Sequence, residues 1–279
     1  MGNPGQSVLR RRASFNRYPQ EFYPGGKSEL LRMLQALTVP AADKVKAAAV
    51  VSPHAGYVYS GSVAGAVFSS VSIPPAVIIL GAPHDHFRAL FSVMAEGVWE
   101  SPLGDVSIHR ELSGLLLEAC PLAEAAVDAH ENEHSLEVQV PFLQFFQKDL
   151  SLVPVHVNVR TTFDDLRNLA DGLAAAVKRY GGDVLIVAST DMSHYISQES
   201  AKKLDFLAID RILALDAKGL FETVRSRGIT MCGVQPTTAA ILASLGLGAQ
   251  KSELVKYQTS GDASGDYDHV VGYAGLRIY

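Results

Sequence analysis

Four short apolar runs set the frame for this chain: "KAAAVVS" (46–52), "AVIILGA" (76–82), "LSLVPVHVN" (150–158) and "DVLIVAST" (183–190). Each is continuous instead of alternating, the pattern of a strand covered on both faces. Helical patterns lie between and after them. The stretch 60–71 opens on Ser60, a plausible cap. The stretch 163–182 carries acids in its first turn, Lys178 and Arg179 in its last, and glycines to stop it. The stretch 197–216 is amphipathic, with Leu204, Leu207, Ala208, Ile212 and Leu215 on one stripe. The stretch 236–248 starts at Pro236 and ends in Gly. Two further strands, 253–260 and 269–279, flank a Gly/Asp/Ser loop. Strands alternating with helices predict an α/β fold: a single layered domain whose mostly parallel, mixed central sheet is flanked by helices. No repeat and no Pro/Gly/Ser-rich linker divides it. The expected organisation is one domain over 21–279 behind a flexible, basic lead-in over 1–20.

Charge and cysteine usage narrow the function classes. The net charge of −5 argues against nucleic acid as the main partner, because phosphate binding draws on a basic face. Two cysteines, Cys120 and Cys232, are too few for a disulfide framework. No apolar run reaches membrane-spanning length, and the N-terminus lacks a signal-peptide core. A cytoplasmic setting, no membrane partner and a small-molecule substrate are therefore expected; oligomeric state is left open.

The histidines give the sharpest pointer to a site. Three of the clearest strands run directly into one: "AAAVVSPH" into His54, "AVIILGAPH" into His84, and "DVLIVASTDMSH" into His194. In open α/β sheets ligands bind beyond the carboxyl ends of the strands, where three such imidazoles can converge. A single histidine after a strand is usually only a loop residue, so the weight falls on the set. Pro53 and Pro83 stiffen the chain before His54 and His84, as a preorganised ligand needs. Cys232, in "TMCGVQPTTAAI", precedes a helix start, a position that favours thiolate. Its bland alternative is a small buried hydrophobe, which suits Cys120 better.

One motif invites a different reading. "HENEH" (130–134) matches H-E-x-x-H, the zinc signature of many peptidases. That chemistry needs both histidines on one helical face. Here the segment is polar and reads as a loop entering "SLEVQVPFLQFFQ", with Pro141 too near for a long helix. His134 and Glu137 are instead candidates to face the pocket.

Six blocks in order, "VSPHAGYVYSG", "LGAPHDH", "ENEHSLEVQVPFLQ", "STDMSHY", "CGVQPTTAAI" and "SGDASGDYDHVVGYAG", resemble the Memo family, whose prokaryotic members are called AmmeMemoRadiSam system protein B. The resemblance spans residues 51–275. It implies a fold similar to that of class III extradiol dioxygenases, which hold non-haem Fe(II). Carried over by position, it implies His54 and His84 as metal ligands with Cys232 in place of the usual carboxylate. His194 becomes the acid/base with Asp191 beside it. By position alone, Tyr57 just past His54 and Asp85 just past His84 join His134 and Glu137 as candidate pocket or supporting groups. Many members read G-P-S-H-H where this chain has Gly81-Ala82-Pro83-His84-Asp85, a difference in the outer shell. The implied cofactor is Fe(II), with Cu or Zn as alternatives, since sulfur softens the site.

Three functions stay open at this stage. One is a metal-dependent oxidoreductase acting on a small molecule, phenols among the candidates, with a zinc hydrolase as its variant. Another is a non-catalytic regulatory protein that binds a metal, ligand or peptide and works through a protein partner. The last is metal-free cysteine chemistry by Cys232, His194 and Asp191.

Overall fold

The computed structural model describes residues 10–11, 22–39, 43–82, 88–126, 128–131 and 133–279. Its strands are β1 (Arg10–Arg11), β2 (Ala49–Ser52), β3 (Ala76–Gly81), β4 (Phe91–Val93), β5 (Val98–Trp99), β6 (Val106–Ile108), β7 (Ala123–Ala125), β8 (Ser151–Val157), β9 (Val184–Ser189), β10 (His194–Ile196), β11 (Ser252–Thr259) and β12 (Val270–Ile278). Its helices are α1 (Lys27–Leu37), α2 (Tyr57–Ser69), α3 (Arg110–Ala119), α4 (His134–Glu137), α5 (Val140–Phe146), α6 (Phe163–Tyr180), α7 (Gln198–Leu213), α8 (Ala217–Ser226), α9 (Val234–Gly246) and α10 (Gly261–Ser264).

The strands form one mixed sheet in the order β1-β5-β6-β8-β3-β9-β2-β12-β10, with β11 on β12 and β4 between β7 and β8. The centre, β6-β8-β3-β9-β2, is parallel throughout. Antiparallel β12 then joins β2, β10 and β11. The four apolar runs become β2, β3, β8 and β9, and the tail pair becomes β11 and β12.

Why those runs are continuous follows from the packing. Side chains alternate across a strand. Val51, Ile78, Leu80, Val153, Val155, Ile186 and Ala188 face one core, shared with α3, α6, α7, α8 and α9. Val50, Val77, Ile79, Leu152, Leu185 and Val187 face a second core against α1, α2, α4 and α5. With apolar cover on both sides, these strands are buried along their length except at the first residues of β8 and β9, and the chain is a single α/β layered domain.

Helix ends follow local chemistry with some departures from the sequence reading. Thr162 and Asp165 form a reciprocal capping box at the start of α6, and Gly181 ends it at φ 73°. Ser197 caps α7 as its position suggests. The helix expected from Ser60 begins at Tyr57, with Gly56 at the cap position. The Ser60 hydroxyl turns back to donate to the Ala55 carbonyl at 2.8 Å. The segment after HENEH is two short helices, α4 and α5, because Pro141 starts the second instead of continuing the first. Arg10 and Arg11, inside the lead-in expected to be flexible, lie parallel to Val98 and Trp99. The rest of residues 1–20 lies outside the described residues. No helix among the described residues is long and apolar enough to cross a membrane.

Candidate metal-binding site at the carboxyl edge of the sheet

β2 and β9 are neighbours, with Ser52 opposite Ser189 at their carboxyl ends. Just past these ends the chain presents His54 and Asp191. The His54 backbone N–H donates to Asp191 Oδ1 at 2.8 Å, which ties the two loops together. Both side chains are buried, 2% and 4% exposed.

Cys232 reaches the same point from the start of α9. Its Sγ lies 3.4 Å from His54 Nε2 and accepts the Asp191 backbone N–H at 3.2 Å. The approach depends on Gly233. Its N–H donates to Thr190 Oγ1 at 2.8 Å, and a Cβ there would sit 2.5 Å from the Ser189 carbonyl oxygen. Only a residue without a side chain lets α9 begin this close to the end of β9.

The charges bear on one another. Burial raises the Asp191 carboxyl, offset by the His54 N–H and by the nearby rings of His194 and His134. Burial and then the charge of Asp191 push the Cys232 thiol up to about 12. In metal-free protein the thiol therefore keeps its proton, and a cation is what would release it.

The pair suits a metal by spacing. Bonds of ~2.0–2.1 Å to nitrogen and ~2.3 Å to sulfur at a tetrahedral angle put the two atoms about 3.5 Å apart. His54 Nε2 and Cys232 Sγ are separated by 3.4 Å. Asp191 Oδ2 lies 4.0 Å from the same nitrogen. No group of three or more His, Cys, Asp or Glu side chains with metal-binding geometry occurs among the described residues. His84 and Asp85 lie outside the described residues.

His194 sits on β10 with both its amide and its ring bound to Thr230. The amide donates to Thr230 Oγ1 at 2.8 Å, and Nδ1 donates to the Thr230 carbonyl at 2.9 Å. A carbonyl can only accept, so Nδ1 carries the proton and Nε2 is the basic nitrogen. The next residue, Tyr195, is held at φ 58° and is 74% exposed. A tyrosine rarely adopts that conformation.

The other expected residues fall around this centre. The His134 ring meets His54 edge-on at 5.5 Å and stacks on Phe22 at 4.5 Å. Glu137 is buried and accepts the Tyr23 hydroxyl at 2.5 Å. Tyr57 is fully covered in the second core, and its hydroxyl donates to the Val138 carbonyl at 2.7 Å. The two histidines of HENEH part company. His130 ends a 3-10 turn and stacks on the buried His156 at 4.4 Å, whereas His134 begins α4. They do not share the helical face a zinc peptidase needs.

Sequence reasoning missed three groups. Ser189 and Gln139 are both fully buried behind His54. Asp205, on α7, accepts the Ser193 N–H at 2.9 Å and the Tyr257 hydroxyl at 2.8 Å, and so braces the loop that carries His194. A polar residue inside the apolar stretch "EVQVPF" was the one signal for Gln139.

The comparisons agree with the six sequence blocks. The family model described as Memo-like protein matches residues 17–277. A MEMO1 family protein of Desulfurococcus amylolyticus is 39% identical over 245 residues, covering 86% of this chain and 85% of its own. One of Methanopyrus kandleri is 37% identical over 270 residues, with 92% and 95% covered. One of Archaeoglobus fulgidus is 39% identical over 257 residues, with 91% and 95% covered. Matches of this extent run through the strands, the loops at their carboxyl ends and the start of α9 alike, and the chain belongs to the Memo family.

Proposed function

We propose that this protein is a metal-dependent oxidoreductase of small molecules, with His54, His84 and Cys232 as ligands and Fe(II) as the metal; Cu or Zn are the alternatives. The observation that carries the reading is the 3.4 Å approach of His54 Nε2 to Cys232 Sγ beside buried Asp191. A thiol and an imidazole converging at a strand edge, from opposite ends of the sequence, make a donor set with more purpose than core packing. Bound iron would supply open positions at which O₂ and a phenolic substrate meet.

The chain's own residues would do the rest. Asp191 fixes the His54 loop through its backbone N–H and places a carboxylate against the ligand pair. His194, with Nδ1 committed to Thr230, offers Nε2 to take a substrate proton. Metal-free cysteine chemistry is less well supported, because a thiol pushed up to about 12 supplies little nucleophile.

The test is elemental analysis of protein purified without chelator, followed by oxygen uptake of the iron-loaded chain against a panel of phenols. Near-stoichiometric iron that disappears in His54→Ala with Cys232→Ser, together with substrate-dependent uptake, is expected. Stoichiometric metal without turnover of any compound would instead mark a binding or regulatory protein. No metal in the wild type after anaerobic reconstitution would sink the metalloenzyme reading and move the weight to a ligand- or peptide-binding protein or to thiol chemistry at Cys232.

A further inference from the structure

We infer that Ser189 and Gln139 are positioning residues that lock His54 in one tautomer, with the proton on Nδ1 and the lone pair of Nε2 turned toward Cys232. The functional meaning rests on the reading of His54 as a metal ligand. The tautomer itself follows from hydrogen-bond accounting.

Two backbone carbonyls anchor the argument, because a carbonyl oxygen can only accept. The Gln139 side-chain nitrogen lies 2.9 Å from the Pro53 carbonyl and 2.8 Å from Ser189 Oγ. The first contact requires the amide NH₂ at that position, which settles which way the amide faces. Both of its protons are then used, one on Pro53 and one on Ser189. Ser189 Oγ in turn lies 2.6 Å from the Ser135 carbonyl, so its single proton goes there.

The third neighbour of Ser189 Oγ is His54 Nδ1 at 3.0 Å. The hydroxyl has no proton left to give. It has already accepted one bond from Gln139 and has one lone pair remaining. His54 Nδ1 must therefore be the donor. With Ser189 as the fixed acceptor, Nε2 is left as the basic nitrogen, 3.4 Å from Cys232 Sγ. This is how proteins prepare an imidazole for a metal: an acceptor on one nitrogen places the lone pair on the other and orients the ring.

The arrangement is costly to build, because it places three polar side chains in the interior. Ser189, Gln139 and Ser135 are all fully buried. Gln139 Oε1 finds no donor among the described residues, so the amide is retained for its NH₂ group alone. Burying an unsatisfied acceptor is unfavourable. Three separate elements contribute: β9 gives Ser189, the α4–α5 junction gives Gln139, and the β2 loop gives His54.

The test is ¹⁵N-edited NMR of the histidine rings in the metal-free full-length protein at alkaline pH, with the His54 signals identified by their loss in His54→Ala. The wild type should show a protonated Nδ1 and a bare Nε2. Ser189→Ala should lose that pattern and bind Co(II), used as a spectroscopic probe of the thiolate bond, roughly 10–100-fold more weakly. A wild-type ring protonated at Nε2 would overturn the inference, and this arm needs no substitution that could fail to fold. A folded Ser189→Ala chain with the wild-type ring pattern and Co(II) affinity would overturn it too. A wild type with Nδ1 protonated that binds no Co(II) would uphold the tautomer lock and defeat the metal reading instead.

Discussion

Gly233 donates its N–H to Thr190 Oγ1 at 2.8 Å, and this one bond seats the start of α9 against the end of β9. Replacing Gly233 with Ala should therefore act at a distance from its own small volume. The new Cβ meets the Ser189 carbonyl at 2.5 Å and Thr190 Cβ at 2.5 Å, so the helix start must retreat and carry Cys232 away from His54. The cost should be about 1–3 kcal/mol in urea unfolding, with weaker metal retention by elemental analysis. Wild-type stability and metal content in Gly233→Ala would contradict it.

Cys232 should be slow to alkylate in metal-free protein at neutral pH, since its thiol is pushed up to about 12. Asp191→Asn removes the negative charge that is the second cause of this shift. The thiol should then titrate lower and react faster with iodoacetamide, read as the pH dependence of the alkylation rate. An unchanged profile would mean that burial alone sets the reactivity.

Asp205 gives a pH signature in stability. Burial raises its carboxyl in the folded state above the ordinary range. Between the unfolded and the folded values the folded protein holds more protons. Stability is fully present below the unfolded value and falls as pH rises through the folded one. That fall should be absent in Asp205→Asn, as seen by urea unfolding across mildly acidic pH. Asp205→Ala should cost about 2–3 kcal/mol, because it leaves the Ser193 N–H and the Tyr257 hydroxyl without their acceptor.

His130→Ala separates the peptidase motif from the proposed centre. His130 is fully buried against His156, so its removal leaves a cavity worth about 2–4 kcal/mol. Metal content should match the wild type. Metal lost from a folded His130→Ala chain would reopen the role of HENEH.

Thr162→Ala removes one half of the capping box on α6 and should cost about 1 kcal/mol, measured as a lower thermal midpoint with unchanged metal content.

The strands were readable because each of β2, β3, β8 and β9 is apolar on both faces, a pattern few other elements share. The stretch from Phe91 to Ala125 was not, since its strands are two or three residues long and carry no periodicity. Serine at position 60 resembled a cap, yet the backbone turned into a helix earlier, at Gly56. Within the site, His54 and Cys232 stood out by residue type and position. Ser189 did not, because a serine at a strand end has no pattern of its own, and Gln139 showed only as one polar residue between valines, which does not say what it touches. Their role exists only where β9, the α4–α5 junction and the β2 loop meet, and that meeting is a property of the folded chain.

The place of β12 has a consequence for synthesis. This strand, Val270–Ile278, closes against β2, which precedes it by most of the chain. Until those residues leave the ribosome, the backbone edge of β2 has no partner on that side, and the loop bearing His54 hangs from an unfinished sheet. A nascent chain can pair β2 with β9 first, but it carries an open strand edge into the crowded cell until β12 emerges. Arrest of the ribosome before Val270 should leave a chain that recruits chaperones, whereas release of β12 should end their hold.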